Sequence, residues 1–506
     1  MKNWHAFFEL LKSPLEILVF SLFVAGLGTV LNNPFFGIAS FYQNSYLISL
    51  GNMLIQMNRY VVVNFPILIL IRLVVRKRSA AGTVIAALVG YIAFLTATMV
   101  IPFSDLPSVA FSSILGLNQN TLNHGVQYPL QTGVIGALLV VSVSLGIQKW
   151  QAKRKAMGVI TSDTAMAAKT VLACFLLGVL TALGWPWVVR VIEKTISFIS
   201  VDTSNPVNLS LYGMMDKILQ ELHLSAFIRQ PFWYNTNGGS WINFAGGVVS
   251  GDANIWTAQL SNGSPVGMAG HFFTPYFIMN IFAIPAVIWT LYSVDSDKMA
   301  KRKRLLFCLF ATLTSWLAGI ALPFEWMLMF LAPLLFVFHV VMNGILYAFL
   351  QTMGLSLGFQ TRESNVATAL PGTLPEWISY SQNTSLQSKV LWLFLIGIVV
   401  GVIYVLVTRL YFNHFAIDLF KTGEKDKMVE AIIESVGGIG NIQLIFSSIQ
   451  SLTLVLNDAS LMNKEQLYEQ GVCRIVEQPF GHVLYFGACS TILRKEIQKQ
   501  MRGIQE

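Results

Sequence analysis

Charge is what this chain has least of. Lys, Arg, Asp and Glu together make up 11% of its 506 residues, where a soluble globular protein carries about 25%. That scarcity excludes an ordinary soluble fold. Cysteine is sparse too. The four present, Cys174, Cys308, Cys473 and Cys489, share no metal-ligand or redox spacing, so they read as packing residues, and neither a metal nor a cofactor is expected. The net charge of +8 does not point to nucleic acid. Its basic residues stand in short clusters beside apolar runs, where they set orientation in a membrane.

Apolar residues fill the space that charge leaves. They form 54% of the chain, with 35 Phe and 12 Trp. Stretches long enough to span a bilayer, about 17–25 residues each, lie near 14–32, 54–75, 80–103, 131–148, 167–189, 271–293, 305–322, 324–350 and 388–411. The first lacks a small-residue cleavage site and is expected to stay as a helix. Basic clusters follow at Arg76-Lys77-Arg78, Lys149 to Lys155, Lys298 to Arg304 and Arg409 to Lys427, and these predict cytoplasmic faces. Loops 33–53 and 104–130, poor in Lys and Arg, are expected outside. The crossing parity does not close on these stretches alone. Either one polar-interrupted segment is a non-crossing hairpin, with the Pro323 region and 351–387 as the best candidates, or a further crossing exists; 205–235, where polar residues interrupt a moderately apolar pattern, is open in the same way. The fold class expected is therefore an α-helical polytopic membrane protein of about ten membrane segments including re-entrant hairpins.

Residues 318–339, AGIALPFEWMLMFLAPLLFVFH, are the most informative stretch. Pro323 removes a backbone donor and breaks a helix. Glu325 is costly at membrane depth unless it is paired or faces a cavity. A broken backbone beside a buried carboxylate is how membrane proteins build polar sites. Glu325 is read as a cavity contact, the alternative being a carboxylate that caps the broken helix. His339 reads as a satisfied core histidine. His271 and Arg229 are candidate solute contacts or interfacial side chains.

After about residue 424 the composition changes, and Lys, Glu, Asp and Gln recur throughout. The pattern predicts a helix at 426–435, strands at 442–447 and 451–456, a helix at 463–470, a strand at 481–486 and a helix at 490–501. The domain reading is thus 1–412 membrane-embedded, 413–424 linker, and 425–506 a small C-terminal α/β domain.

Several short motifs occur in an order that resembles a known family. They are Gly319-Ile320-Ala321-Leu322-Pro323-Phe324-Glu325-Trp326, then Pro333 with nearby His339, Phe282-Ala283-Ile284-Pro285-Ala286, ALGWPWV at Ala182 to Val188, NNPFFG at Asn32 to Gly37, and Gly437, Gly438, Asn441 and Ile442 opening the last domain. Their order resembles the sugar permeases of the bacterial phosphotransferase system, in the enzyme IIC–IIB fusion form of the glucose and alpha-glucoside superfamily. The resemblance implies a permease domain for a sugar or glucoside and a phosphate-carrying IIB domain. It also implies partner IIA or IIB proteins, a homodimer, and a cell-membrane location with the C-terminal domain in the cytoplasm.

The chain departs from that pattern where phosphate chemistry would sit. Ser448 occupies the phosphocysteine position, and Ser451 and Thr453 stand where two arginines are expected. A hydroxyl is not ionised as a thiol is, and without guanidinium forks the phosphate loses its clamp. Cys473 and Cys489 lie well downstream and are not expected to occupy the site. In the membrane domain the paired histidines of the pattern fall on Ser225 and Ala226, and the motif glutamate falls on Leu322. The reading is a permease fold with a degenerate IIB domain, with no catalytic residue and with Glu325, His271 and Arg229 as solute-binding candidates. The alternatives are an active phosphoenolpyruvate-dependent phosphotransferase using a partner's IIB domain, and a membrane sugar sensor or regulator.

Overall fold

The computed structural model describes residues 2–32, 45–75, 81–112, 114–121, 125–157, 162–261, 269–294, 298–358, 371–415, 422–479 and 481–502. Arg76-Lys77-Arg78, most of the NNPFFG motif and half of the expected linker fall outside them. The first half is built from α1 (Lys2–Asn32), α2 (Ser45–Val63), α3 (Phe65–Val74), α4 (Ala81–Thr98), α5 (Gly133–Ala156), α6 (Asp163–Ser200), α7 (Pro206–Glu221), α8 (Ala226–Tyr234) and α9 (Asp252–Ser261). Two small hairpins, β1–β2 (Gln119–Thr121 and Gly125–Gln127) and β3–β4 (Ser240–Ile242 and Val248–Ser250), interrupt them. Then come α10 (Thr274–Ile278), α11 (Ile284–Val294), α12 (Lys298–Ala318), α13 (Leu322–Leu331), α14 (Pro333–Thr352), α15 (Leu374–Ser381) and α16 (Gln387–Leu410).

Among the described residues six helices are long and apolar enough to cross a membrane, and a seventh is counted if α2 and α3, bent by 50°, form one span. Three shorter apolar helices lie at Gly82–Thr98, Leu305–Ala318 and Leu322–Leu331. The stretch expected as one run over 324–350 is two helices, because Ala332 leaves helical geometry (φ −140°, ψ 66°) just before Pro333. The outer face of α6 leaves Leu172, Leu176, Leu180, Leu183, Trp187 and Val191 open, with Trp187 69% exposed. Soluble monomers rarely present so continuous an apolar stripe.

Prolines shape the interior and hand their freed carbonyls to distant helices. Pro66, at the start of α3, has no N–H for Val62. The freed Val62 carbonyl instead accepts from His223 Nε2 at 2.6 Å, tying the α7–α8 corner to the bend. Pro285 likewise frees Ile281, whose carbonyl accepts from Trp316 Nε1 of α12 at 3.0 Å. A π-turn over Met279–Ala283 absorbs the local irregularity between α10 and α11.

Helices α7 and α14 approach at glycine. A methyl group on Gly213 would lie 2.2 Å from the Tyr347 ring, and the Gly213 carbonyl accepts from Asn343 Nδ2 at 2.7 Å. Gly213→Ala is expected to force the two helices apart and to cost about 1–3 kcal/mol, in the range for overpacking. A lowered melting temperature in detergent checks this, and an unchanged one removes the close contact.

The last part of the chain holds α17 (Thr422–Ser435), β5 (Ile442–Ser447), β6 (Ser451–Leu456), α18 (Lys464–Glu469), β7 (Arg474–Gln478), β8 (Gly481–Tyr485) and α19 (Ser490–Arg502). Its sheet is antiparallel throughout, in the order β5-β6-β8-β7. Strand β7 was not expected. Its residues RIVEQ lie on the sheet edge, largely open, and so carry little of the apolar alternation by which strands are recognised. This domain touches the π-helical turn Tyr411–Phe415 that follows α16, where Lys495 Nζ donates to Asn413 Oδ1 at 2.8 Å.

Candidate functional site

Helix α7 presents Asp216, Lys217, Gln220 and Glu221 along one side, since residues four apart stack on the same face of a helix. All four are buried: Asp216 is 0%, Lys217 2%, Gln220 7% and Glu221 3% exposed. The helix starts where Asn205 accepts the Val207 N–H at 2.9 Å and Pro206 takes the first position. Its polar face is met by Arg229 from α8, Tyr276 from α10, Glu325 from α13 and His339 from α14.

Glu325 is placed by the break that Pro323 makes. Helix α12 stops at Ala318, Gly319 takes φ +65°, and α13 begins at Leu322 with the proline in its first turn. The Glu325 carboxylate is fully buried. Its Oε1 accepts from Lys217 Nζ at 2.5 Å and meets His339 Nε2 at 3.0 Å, and its Oε2 accepts from Gln220 Nε2 at 2.6 Å. His339 Nδ1 meets the Tyr404 hydroxyl at 3.0 Å, so both ring nitrogens are used.

Arg229 makes a two-pronged pair with Asp216. Its Nε donates to Oδ1 at 2.6 Å and one Nη to Oδ2 at 3.1 Å. The same Nη donates to Gln220 Oε1, and Tyr276 donates its hydroxyl proton to Asp216 Oδ2. Gln220 therefore joins the Arg229–Asp216 pair to the Lys217–Glu325 pair. Of the three solute-contact candidates, two, Arg229 and Glu325, belong to one connected network. His271 does not join it. It lies beside Asp252, whose carboxylate accepts the Gly270 N–H at 2.9 Å.

A cavity of about 270 Å³ opens against this network, near the lower end of the range for small-molecule sites, about 300–1,000 Å³. Gln220, His223, Ser225, Ala226, Arg229 and Leu322 are among its lining residues. Glu325 and His271 are not, and among the described residues Gln220 both lines the cavity and donates to Glu325. One wall depends on Gly133 (φ +53°), where a methyl group would lie 2.2 Å from the Leu222 carbonyl. Sequence reasoning passed over Gln220 and Glu221. The signal was present in DKILQE, where four polar residues share one face of an otherwise apolar helix.

In the C-terminal domain Ser448 sits in the turn between β5 and β6 and is buried. Its Oγ accepts the N–H of Gln450 at 3.2 Å and of Ser451 at 3.0 Å, and lies 2.7 Å from Ser451 Oγ. The hydroxyl caps a turn. Folding also brings both downstream cysteines to this end of the sheet. Ser451 pairs with Tyr485, whose carbonyl accepts the Cys473 N–H, and the Phe486 and Gly487 N–H groups reach the Gln450 carbonyl. The thiols are themselves engaged: Cys473 donates to the Tyr485 carbonyl at 3.0 Å and Cys489 to the Phe486 carbonyl at 3.6 Å. Burial pushes the Cys489 thiol up to about 12, away from the thiolate form that phosphate transfer requires. Ser448→Ala is expected to cost about 1–2 kcal/mol, as loss of a side-chain cap on backbone donors does. Denaturant unfolding of the full chain, followed by a probe in residues 425–506, measures it.

No protein-family model matches the chain.

Proposed function

We propose that this protein is a phosphotransferase-system-type sugar permease of the glucose and glucoside class, whose own IIB-like domain carries no phosphate. One observation carries the reading. Ser225 with Ala226, and Leu322, positions assigned from two separate motifs in the resemblance, come from two places in the chain and line one cavity with Arg229. A cavity lined by a guanidinium, the amides Gln131 and Gln220, the His223 ring and the hydroxyls of Ser112 and Ser225 among apolar side chains suits a neutral polyhydroxyl solute, which needs hydrogen-bond partners in several directions.

The apolar outer stripe of α6 supports a multi-pass location in the cell membrane. The candidate spans and the three shorter apolar helices support about ten membrane segments including re-entrant hairpins. The basic residues between Arg409 and Lys427 support a cytoplasmic side for the C-terminal domain. In the degenerate IIB-like domain the turn-capping role of Ser448 supports the loss of phosphate transfer. A homodimer is the assembly that the resemblance implies.

The test uses the purified full chain. Saturable glucoside binding without phosphoenolpyruvate is expected, together with no stable label when phosphoenolpyruvate and the general phosphocarrier proteins are added. A stable phosphoryl label on the chain, or no binding across a glucoside panel, overturns the proposal.

A further inference from the structure

One buried acid in α7 is left without work by the network described above. Neither carboxylate oxygen of Glu221 meets a hydrogen-bond donor among the described residues. Its charged neighbours are Glu325, Lys217 and Arg229. Lys217 is committed to Glu325, and Arg229 to Asp216 and Gln220. The groups facing Glu221 from each packed element can be counted by charge. Helix α7 supplies Asp216 and Lys217, α8 supplies Arg229, and α13 supplies Glu325. His339 of α14 is satisfied as a neutral ring, with Nε2–H toward Glu325 and Nδ1 accepting from Tyr404. His223, after α7, donates to the Val62 carbonyl. The Tyr276 hydroxyl donates to Asp216, and the Tyr212 hydroxyl accepts from Trp233.

Three carboxylates thus share two cations. The cluster carries one negative charge in excess, in surroundings that exclude water. A buried carboxylate without a donor costs several kcal/mol, and the group sheds that cost by taking up a proton. Two carboxylates that share a site hold one proton between them. A proton on Glu221 makes the cluster neutral and supplies an O–H toward its neighbour Glu325.

We infer that Glu221 is a single-proton binding site, joined to the solute cavity through Gln220, and that solute movement is accompanied by the binding and release of this proton. The coupling half rests on the reading of the cavity as a solute site. Gln220 links the two: it lines the cavity and donates to Glu325. A solute hydroxyl that engages Gln220 draws its amide from Glu325, which then depends more on the Glu221 O–H. Proton and solute therefore bind better together, and each strengthens the other by the same factor. The O–H bond forms on Glu221 at loading and breaks to water at release. No other group changes charge.

Two measurements on the full chain test this. In detergent at neutral pH, infrared spectra should contain a carboxylic-acid C=O band that moves on transfer to D2O and disappears in Glu221→Gln. That variant keeps the fold, because its amide donates to Glu325 in place of the O–H. Absence of the band from the native protein, or its persistence in the variant, overturns the proton site. In proteoliposomes, glucoside uptake should rise under an inward proton gradient and lose that response in Glu221→Gln. A native protein indifferent to the gradient overturns the coupling. If no glucoside enters under any gradient, the solute reading and the coupling fall together, while the infrared band still decides the proton site.

Discussion

Lys217→Met is expected to destabilise the helical part of this protein by about 3–5 kcal/mol, the cost of removing one partner from a buried ion pair. The ammonium lies 2.5 Å from Glu325 Oε1, and neither side chain reaches solvent to any useful extent. Its loss leaves an interior carboxylate held by the neutral donors Gln220 and His339 and by the O–H proposed for Glu221. Neutral donors supply part of the stabilisation, but they leave the charge uncompensated. Removing both charges together, in Lys217→Met with Glu325→Gln, is expected to recover most of the loss, because no unpaired ion remains. Melting temperatures of the four proteins in one detergent form a double-mutant cycle. A Lys217→Met protein that melts like the native one would mean that the pair is absent.

If the cavity takes a glucoside as proposed, Arg229→Gln is expected to weaken its binding about 10–100-fold. Hydrogen bonds to charged groups contribute about 1.5–3 kcal/mol, and each 1.4 kcal/mol is about a factor of ten. Arg229 lines the cavity and also holds Asp216 through two parallel bonds. The variant therefore loses stability as well, so binding must be measured well below its melting temperature. Arg229→Lys separates the two roles. It keeps the charge beside Asp216 but loses the fork, and an ammonium cannot serve Asp216 and Gln220 in the same geometry. Stability close to native with weakened binding is the expected result for lysine. Equal binding in all three proteins would remove Arg229 from the solute site.

Much of the architecture was legible in the chain because apolar length and proline act locally. The run before Asn32 reads as a helix and is one, α1. The same holds for the runs that became α5, α6 and α16. Pro323 announced a broken backbone next to Glu325, and the break between α12 and α13 stands there. The bend between α2 and α3 was less readable. Pro66 marks it, but its cause is shared with His223, which lies 161 residues from Val62 and satisfies the freed carbonyl. Edge strand β7 was missed because a strand wetted on both faces shows no alternation.

The site was legible only in pieces. Glu325 and Arg229 stood out as charges in apolar surroundings, but nothing local says that Gln220 joins them. His271 stood out for the same reason and belongs elsewhere, beside Asp252. Glu221 was invisible as a site because its significance is a missing partner, and a missing partner is a property of the whole neighbourhood. The two downstream cysteines show the converse. They are distant from Ser448 along the chain, yet the sheet order brings them to the same end as its turn.

By itself the amino-acid order determined where long apolar helices run, where prolines interrupt them, and that few charges stand among them. Those are matters of covalent geometry, apolar length and side-chain chemistry, which act within a few residues. Tertiary structure alone decided which charges meet, that three carboxylates face two cations, and that a cavity opens beside Arg229 and not beside Glu325. Charge pairing and enclosure depend on distances in space between helices, and chain position does not encode those until the helices have packed.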